Sequence, residues 1–254
     1  MNQSVLKALG LLNYFTGDTP SLTLKEIAQQ AGIPKPTAYR LLSALEAGGF
    51  LSKVKVTEHD STYQLGLKLL ELGQIVTDQL EVRTAALPYM QQLAAEVNEV
   101  VHLVIHSQDE AAYIEKVDSF RALQLNTRIG KRSPLYLGSG PKMLLAHMSR
   151  YQQEVILDKA YAEGEHRVAS YEHLLQELAE IYETGYASSI GEQDADTTGI
   201  TYPICDYSDD VIAALAVSGL SRYFTGDNLT KLQQKTRETA ETISRKLGYR
   251  RPDF

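Results

Sequence analysis

The sequence predicts two domains of different class: an N-terminal winged helix-turn-helix, mainly α with a β-wing, joined by a linker helix to a larger α+β domain. Three observations point there. The chain has 254 residues, a length that ordinarily holds one large or two ordinary domains. Its charge is split, with six basic and three acidic side chains in residues 1–57 against 19 basic and 29 acidic ones in the remainder. Its first part reads as three short helices and a hairpin, whereas the rest groups strands and then helices without steady βαβ alternation.

Composition narrows the class. With 43% hydrophobic and 22% charged residues the chain is neither disordered nor fibrous in type. No apolar run approaches the roughly 20 residues of a membrane span. The start, MNQSVLKALGLLNYF, is broken by Lys7 and lacks a small-residue cleavage site, so a cytoplasmic protein with no membrane partner is expected. Cys205 is the single cysteine, which excludes an internal disulfide and a cysteine-based metal cluster. The net charge of −7 taken alone speaks against nucleic acid, but the basic head suits a small phosphate-contacting module on an acidic body.

The head is read in order. In SVLKALGLLNYF, Val5, Leu9, Leu12 and Phe15 fall on one helical face, and TGDTP ends the helix with turn formers. TLKEIAQQAG begins a second helix at Thr23 with Glu26 three residues on, a capping box, and turns Ile27, Ala28 and Ala31 inward before Gly32. A short connection, Ile33 to Lys35, leads to Pro36, which suits the first position of a third helix because its missing N–H has no partner there. That helix runs to about Ala47. FLSKVKV then alternates as a strand with Lys53 and Lys55 on one face, and TEHDS turns the chain back toward Tyr63.

On the third helix Ala38, Leu41, Leu42 and Leu45 cluster on one side. Lys35, Pro36, Thr37, Tyr39, Arg40 and Ser43 occupy or flank the other. A helix anchored by leucines and presenting such groups, after a capped helix and a tight turn, is the recognition element that enters a DNA major groove. The wing lysines Lys53 and Lys55 are placed to contact phosphate beside it. One such helix covers few base pairs, so a homodimer on a palindromic double-stranded operator is expected, with the first helix and the linker helix as dimer surfaces.

From Leu65 to Val97 the pattern is helical, and Pro88 is expected to mark where one helix gives way to another. VVHLVIHSQDEAAYIEKV reads as two strands around a polar turn, RALQLN and SPLYLG as further strands, and ITYPICDY with DDVIAALAVSGL as a hairpin. Helices are expected over about 141–148, 151–160, 170–184 and 229–247. The domains are set at 1–64, the linker helix at 65–82 and the α+β domain at 83–254.

Enzymatic motifs are thin in this body. GSGPK lacks the third glycine of a dinucleotide fingerprint and the Gly-Lys-Ser/Thr end of a P-loop, and neither G-x-S-x-G nor H-E-x-x-H occurs. A hydrolase using Ser139 or Cys205 needs a base and an oxyanion site that no pattern supplies. His102 and His106 share a strand face without a Cys or carboxylate at ligand spacing, so they read as partly exposed strand residues and no metal is assigned. Glu192, Asp194 and Asp196 read as solvated loop acids. Gly138, Ser139 and Gly140, between a strand and a helix start at Pro141, suit either an anion bound by free N–H groups or a plain tight turn.

The run A-G-I-P-K-x-T-x-Y-R-L-L, the glycines before the wing and Tyr-x-Leu-Gly after it resemble the IclR-type bacterial transcriptional regulators. The resemblance continues through YIEKVDS, RSPLYLGSGPKMLLAHM, ETGYASSIGEQD and ALAVSG, and so covers nearly the whole chain. It implies a GAF-like effector-binding domain, no enzymatic activity, no cofactor, and dimers that pair into tetramers. It also implies an effector pocket at Leu137, Gly138, Ser139, Gly140, Pro141 and Met143, with Ser189, Gly199, Ala216 and Ser218 at the other matching positions. Two departures matter: Pro141 replaces a common Gly and removes one N–H donor, and members that sense organic acids tend to carry an acid, a Cys and two serines where this chain has Ser189, Gly199, Ala216 and Ser218. The effector expected is therefore a small organic acid larger or less polar than the smallest ones, a sugar acid or an aromatic acid, with Leu123, Leu135, Leu137, Met143 and Leu144 as an apolar wall or plain core. The alternatives to a ligand-controlled DNA-binding switch are an enzyme and a body that only oligomerises.

Overall fold

A computed structural model describes residues 2–55, 61–78, 81–121, 127–162 and 170–250. The chain divides into two compact units, 1–79 and 80–254.

In the first unit, helix α1 (Gln3–Gly10) starts under Asn2, whose side chain accepts the Ser4 N–H at 3.1 Å, and tightens into a 3₁₀ turn over Leu11–Tyr14. Strand β1 (Ser21–Thr23), which lies between the predicted turn TGDTP and the second helix and overlaps its expected start at Thr23, leads into α2 (Leu24–Gln30). The capping box forms as the spacing predicts: the Thr23 N–H donates to Glu26 at 2.8 Å and the Glu26 N–H to the Thr23 hydroxyl at 3.3 Å. Those Thr23 bonds, the backbone one foremost, hold the Glu26 carboxyl below its ordinary range. Gly32, at φ +63°, turns the chain toward α3 (Lys35–Ala47). Here the expected start is corrected: Pro34 is the N-cap, Lys35 is already helical and Pro36 is the second residue. The shift is tolerated because the first-turn N–H groups have no intrahelical acceptor.

Strands β2 (Leu51–Lys55) and β3 (Ser61–Leu65) form the wing hairpin, and β1 adds to the other edge of β3, so that Tyr63 pairs with Leu22 on one side and Lys53 on the other. The predicted turn at TEHDS falls, save for Ser61, outside the described residues. Leu11, Phe15, Leu22, Ile27, Leu41, Leu42, Leu45, Leu51 and Tyr63 make the core of this unit. Helix α4 (Leu67–Asp78) follows Gly66, whose N–H donates to the Phe50 carbonyl at 2.9 Å.

The second unit opens with α5 (Glu81–Val97), and Pro88 lies inside it. This corrects the expected break at Pro88: the proline is absorbed in a helix whose Ala86, Met90, Leu93, Ala94 and Val97 are buried. Packing outweighs the one backbone bond that a proline removes. The strands β4 (Val100–Ser107), β5 (Glu110–Val117), β6 (Arg132–Pro134), β7 (Ala187–Ile190), β8 (Thr197–Cys205) and β9 (Val211–Leu220) form an antiparallel sheet in the order β6-β5-β4-β9-β8-β7. SPLYLG is a strand only as far as Pro134, and RALQLN lies, apart from Arg121, outside the described residues. The four later helices are α6 (Ser139–Ala146), α7 (Arg150–Ala162), α8 (Tyr171–Thr184) and α9 (Gly226–Lys246).

Helices α5 and α9 cover one face of the sheet, over Val101, Leu103, Ile200, Leu215 and Val217. Helices α6, α7 and α8 cover the other with Met143, Leu144, Leu145, Leu157, Leu174, Leu178 and Ile181. The alternation along β8 and β9 thus sends Ile200 and Val217 to one core and leaves Gly199, Thr201, Ala216 and Ser218 under α6.

A Cβ on Gly66 would stand 2.1 Å from the Gly49 carbonyl oxygen, a contact that only backbone movement relieves. Gly66→Ala is therefore expected to destabilise the full chain by about 2 kcal/mol or more in urea denaturation. Gly73→Ala on α4, where an added Cβ meets no atom within 4 Å outside its own helix backbone among the described residues, is expected to be neutral or to stabilise by up to about 1 kcal/mol.

Candidate functional site

Two sets of residues carry the chemistry, one in each unit. In the first, α3 buries Ala38, Leu41, Leu42 and Leu45. Lys35, Pro36, Tyr39 and Arg40 are exposed, and Thr37 and Ser43 half-buried beside them, as the periodicity predicts. On the wing Lys53 and Lys55 are both exposed. The Lys53 Nζ lies 5.8 Å from the ring centroids of both Tyr39 and Tyr63, so this lysine ties the wing to α3 by cation–π contact as well as carrying charge. Lys35, Arg40, Lys53 and Lys55 all project from one small domain whose acids number three in its first 57 residues.

In the second unit a cavity lies between the sheet and the start of α6. Its water-accessible volume is about 40 Å³. Of the residues expected there, Gly138, Ser139, Gly140, Ser189, Gly199, Ala216 and Ser218 line it. Leu137, Pro141 and Met143 do not; Met143 is wholly buried in the core beneath, Leu137 packs against that core, and Leu135 and Leu144 belong to it too. Leu123 lies outside the described residues. The rest of the lining is polar: His102, Tyr113, Thr127, Glu192, Gln193, Asp194, Thr197 and Thr198.

Gly199 sits between Ser189 of β7 and Ser218 of β9 in the sheet register. A Cβ on it would stand 2.8 Å from the Ser139 Oγ, 3.2 Å from the Ser218 Oγ and 3.3 Å from the Ser189 Oγ, so three hydroxyls converge where this residue has no side chain. At the start of α6, Gly138 takes φ +95°, open to glycine alone. Its N–H donates to Glu192 at 2.8 Å, the Ser139 N–H donates to the Ser189 hydroxyl at 3.1 Å, and Pro141 has none. Gly140, at the second position of α6, also lines the cavity.

The acids of 192–196 are not all solvated, which corrects the expectation for Glu192. Its second carboxylate oxygen accepts from Lys142 at 2.7 Å, and Lys142, 1% exposed, also pairs with Glu177 of α8. The Gln193 amide nitrogen lies 2.8 Å from the Leu137 carbonyl, 3.0 Å from the Tyr113 hydroxyl and 3.2 Å from the Ser133 hydroxyl, its two N–H groups shared among the three acceptors. Residues 192–194 therefore roof the cavity. A carboxylate needs a cation to be drawn inward, and the Lys in G-P-K was the one signal in the sequence for it.

His102 is likewise corrected. It is 2% exposed, whereas His106 on the same strand is exposed, and its ring meets Tyr113 edge-on with centroids 5.6 Å apart. Burial, and then Lys116 and Lys131, push its pKa down to about 3, so the imidazole is neutral, and its Nδ1 has no hydrogen-bond partner among the described residues. The described residues hold no group of three or more His, Cys, Asp or Glu at metal-binding separation. Ser139 takes its hydroxyl bond from Thr201 at 2.9 Å, not from an imidazole, and burial lifts the Cys205 thiol to about 11, so neither is an activated nucleophile.

The profile of the family described as the IclR helix-turn-helix domain matches residues 4–55, and that of the bacterial transcriptional regulator IclR C-terminal domain matches residues 74–245. The HTH-type transcriptional regulator KipR of Bacillus subtilis is 37% identical over 250 residues, 98% of each chain. The HTH-type transcriptional regulator KdgR of Escherichia coli is 31% identical over 97% of this chain and 93% of its own. Among solved structures, an IclR homolog of Microbacterium hydrocarbonoxydans complexed with 4-hydroxybenzoate superposes with a TM-score of 0.82 at 27% identity, over 96% of this chain and 98% of that one.

The buried imidazole sets a pH dependence. Below its ordinary value of 6.5 the unfolded chain takes up a proton that the folded chain refuses until about pH 3, so the contribution is complete above 6.5 and lost as pH falls through that window. The expected loss between pH 7 and pH 5 is about 2 kcal/mol, and His102→Leu should remove that component from urea denaturation curves recorded at the two pH values.

Proposed function

The chain belongs to the IclR family of bacterial transcriptional regulators, with a helix-turn-helix domain that partners DNA and a C-terminal effector domain, and from that premise we propose that it is a homodimeric, ligand-controlled switch on a palindromic operator. The observation that carries the proposal is α3: one face is sealed by Ala38, Leu41, Leu42 and Leu45, and the other holds out Lys35, Pro36, Thr37, Tyr39, Arg40 and Ser43. Arg40 and Lys35 are the base-reading and positioning groups of the major groove, and Lys53 and Lys55 of the wing hold phosphate.

Dimerisation is supported by apolar side chains left at the surface. Val5, Leu6 and Leu9 on α1 and Leu67, Leu70 and Ile75 on α4 are each about half exposed or more. In a soluble chain such a patch is covered, and a second copy covers it while doubling the length of DNA that is read. The α4 helix is then the linker, within the 65–82 stretch between a 1–64 DNA-binding domain and an 83–254 GAF-like domain. Pairing of dimers into tetramers completes the assembly. Among the described residues no helix is long and apolar enough to cross a membrane, and the compartment proposed is the cytoplasm, where the operator is.

The effector is a small organic acid in the cavity at the start of α6. The Gly140 N–H and the hydroxyls around Gly199 suit its carboxylate, with Gly138, Ser139, Ser189, Ala216 and Ser218 around it and Leu137, Pro141 and Met143 shaping the turn and core behind. The ligand changes DNA affinity by its preference between two states of the regulator and by no more than that. The 4-hydroxybenzoate held by the Microbacterium homolog is an acid of this kind.

Selection of bound duplexes from a random pool, followed by titration of the selected site at several salt concentrations, tests the switch. A palindromic consensus with steep salt dependence is expected, and no enrichment over random DNA by folded protein would overturn the reading. On the selected site Arg40→Ala should cost about tenfold to a hundredfold in affinity and relax one position of the consensus. Lys55→Ala should weaken all sequences alike and lower the salt slope by about one.

A further inference from the structure

The wing carries Lys53 and Lys55, and the fold gives the two lysines different surroundings. Strand β2 is an edge of its sheet, paired with β3 alone, and Leu51 is the only one of its five residues that is buried. Side chains two apart on a strand share a face, so Leu51, Lys53 and Lys55 lie on one side of it. Lys53 stands opposite Tyr63 in the ladder, whereas Lys55 stands opposite Ser61. Tyr63 is 1% exposed, and its strand is held from the other edge by Leu22 of β1, which makes the Tyr63 ring a fixed floor.

The Lys53 ammonium reaches both this floor and a second ring. Its Nζ is 5.8 Å from the centroid of Tyr63 and 5.8 Å from that of Tyr39. Tyr39 belongs to α3, is 51% exposed and directly precedes Arg40. A ring on the open surface of a helix turns among rotamers, and ordering it on binding costs free energy that a contact already made in the free protein removes. The same contact ties the edge strand that carries the phosphate-binding charge to the helix that faces base edges. Phosphate contacts set register and orientation, and base contacts carry the sequence. Where the two are joined, a duplex seated on the wing meets α3 in one orientation. We propose that Lys53, in addition to reaching phosphate, is a positioning residue: acting through Tyr39 it fixes α3 against the wing, and so sets how well the regulator tells its operator from other DNA. The inference rests on the reading of α3 and the wing as DNA-binding elements, and it gives the two lysines different work. Lys55 serves affinity alone, and Lys53 serves affinity and specificity.

Equilibrium titration of the full chain with the operator selected by the wild-type protein, and with a random duplex of the same length, gives the ratio of the two affinities at one salt concentration. Lys53→Met keeps the stem beside Tyr63 and removes the charge. It should lower that ratio about five- to tenfold, because the lost phosphate contact is common to both duplexes and cancels, whereas the lost ring contacts count on the operator only. Lys55→Ala should lower both affinities and leave the ratio unchanged. Lys53→Arg, which keeps the charge and the ring contacts, should restore the ratio. In Tyr39→Leu the ratio should fall as well, and adding Lys53→Met should then take little more from it, because the side chain through which Lys53 acts is gone. Equal losses on operator and random duplex in Lys53→Met, or losses of the ratio that multiply in the double variant, overturn the positioning role and leave Lys53 as a phosphate contact. Failure of the wild-type chain to select any operator overturns the DNA-binding reading of α3 itself, and is seen without any variant.

Discussion

The effector domain is arranged around a lysine that has no access to water. An ammonium group taken out of solvent must be met by counter-charge, and Lys142 meets it with Glu177 from α8 and Glu192 from the loop after β7. Because Lys142 belongs to the first turns of α6, those two ion pairs join a helix, its neighbour and a loop. The other oxygen of Glu192 caps the Gly138 N–H, so the same carboxylate that neutralises the lysine also fixes the strand-to-helix turn. Gln193 then follows in register to bond Tyr113, Ser133 and Leu137, and the cavity has its roof. The hydroxyls around Gly199, the buried His102 and the positive-φ Gly138 line the space that this roof covers.

The DNA-binding domain rests on a different principle. Its polar face is ordered by what lies behind it: the leucines of α3 seat the helix, the reciprocal Thr23–Glu26 cap starts the helix before it, and the close approach of Gly66 to Gly49 closes the base of the wing. None of these groups reads DNA. They set the positions of Arg40, Tyr39 and Lys53 at the surface of a small domain with little charge of its own. The two domains thus divide the work, one using apolar packing to display charge and the other using buried charge to enclose a space.

Much of this was legible in the sequence, and the reasons are physical. Helical periodicity and capping are local, so α2, α3 and the wing could be placed from neighbours a few residues apart, and the Gly-rich turn before α6 announced itself by composition. What failed depended on residues far apart in the chain. Glu192 reads as a solvated acid until Lys142, fifty positions earlier, is seen to need it. His102 reads as a half-exposed strand residue until β9 and α6 are seen to cover it. Pro88 reads as a break because the sequence does not tell how much buried surface holds α5 together. The short strands β1 and β7, of three and four residues, carry too few alternations to be recognised and exist because a longer strand offers them an edge.

A roof made of hydrogen bonds and ion pairs has a consequence in time. A cover joined through Glu192 and Gln193 is held by several directional bonds, and moving it as a unit breaks them together. On the proposal that the cavity holds the effector, a cover of this kind slows release, and the regulator averages over the time the cover stays in place.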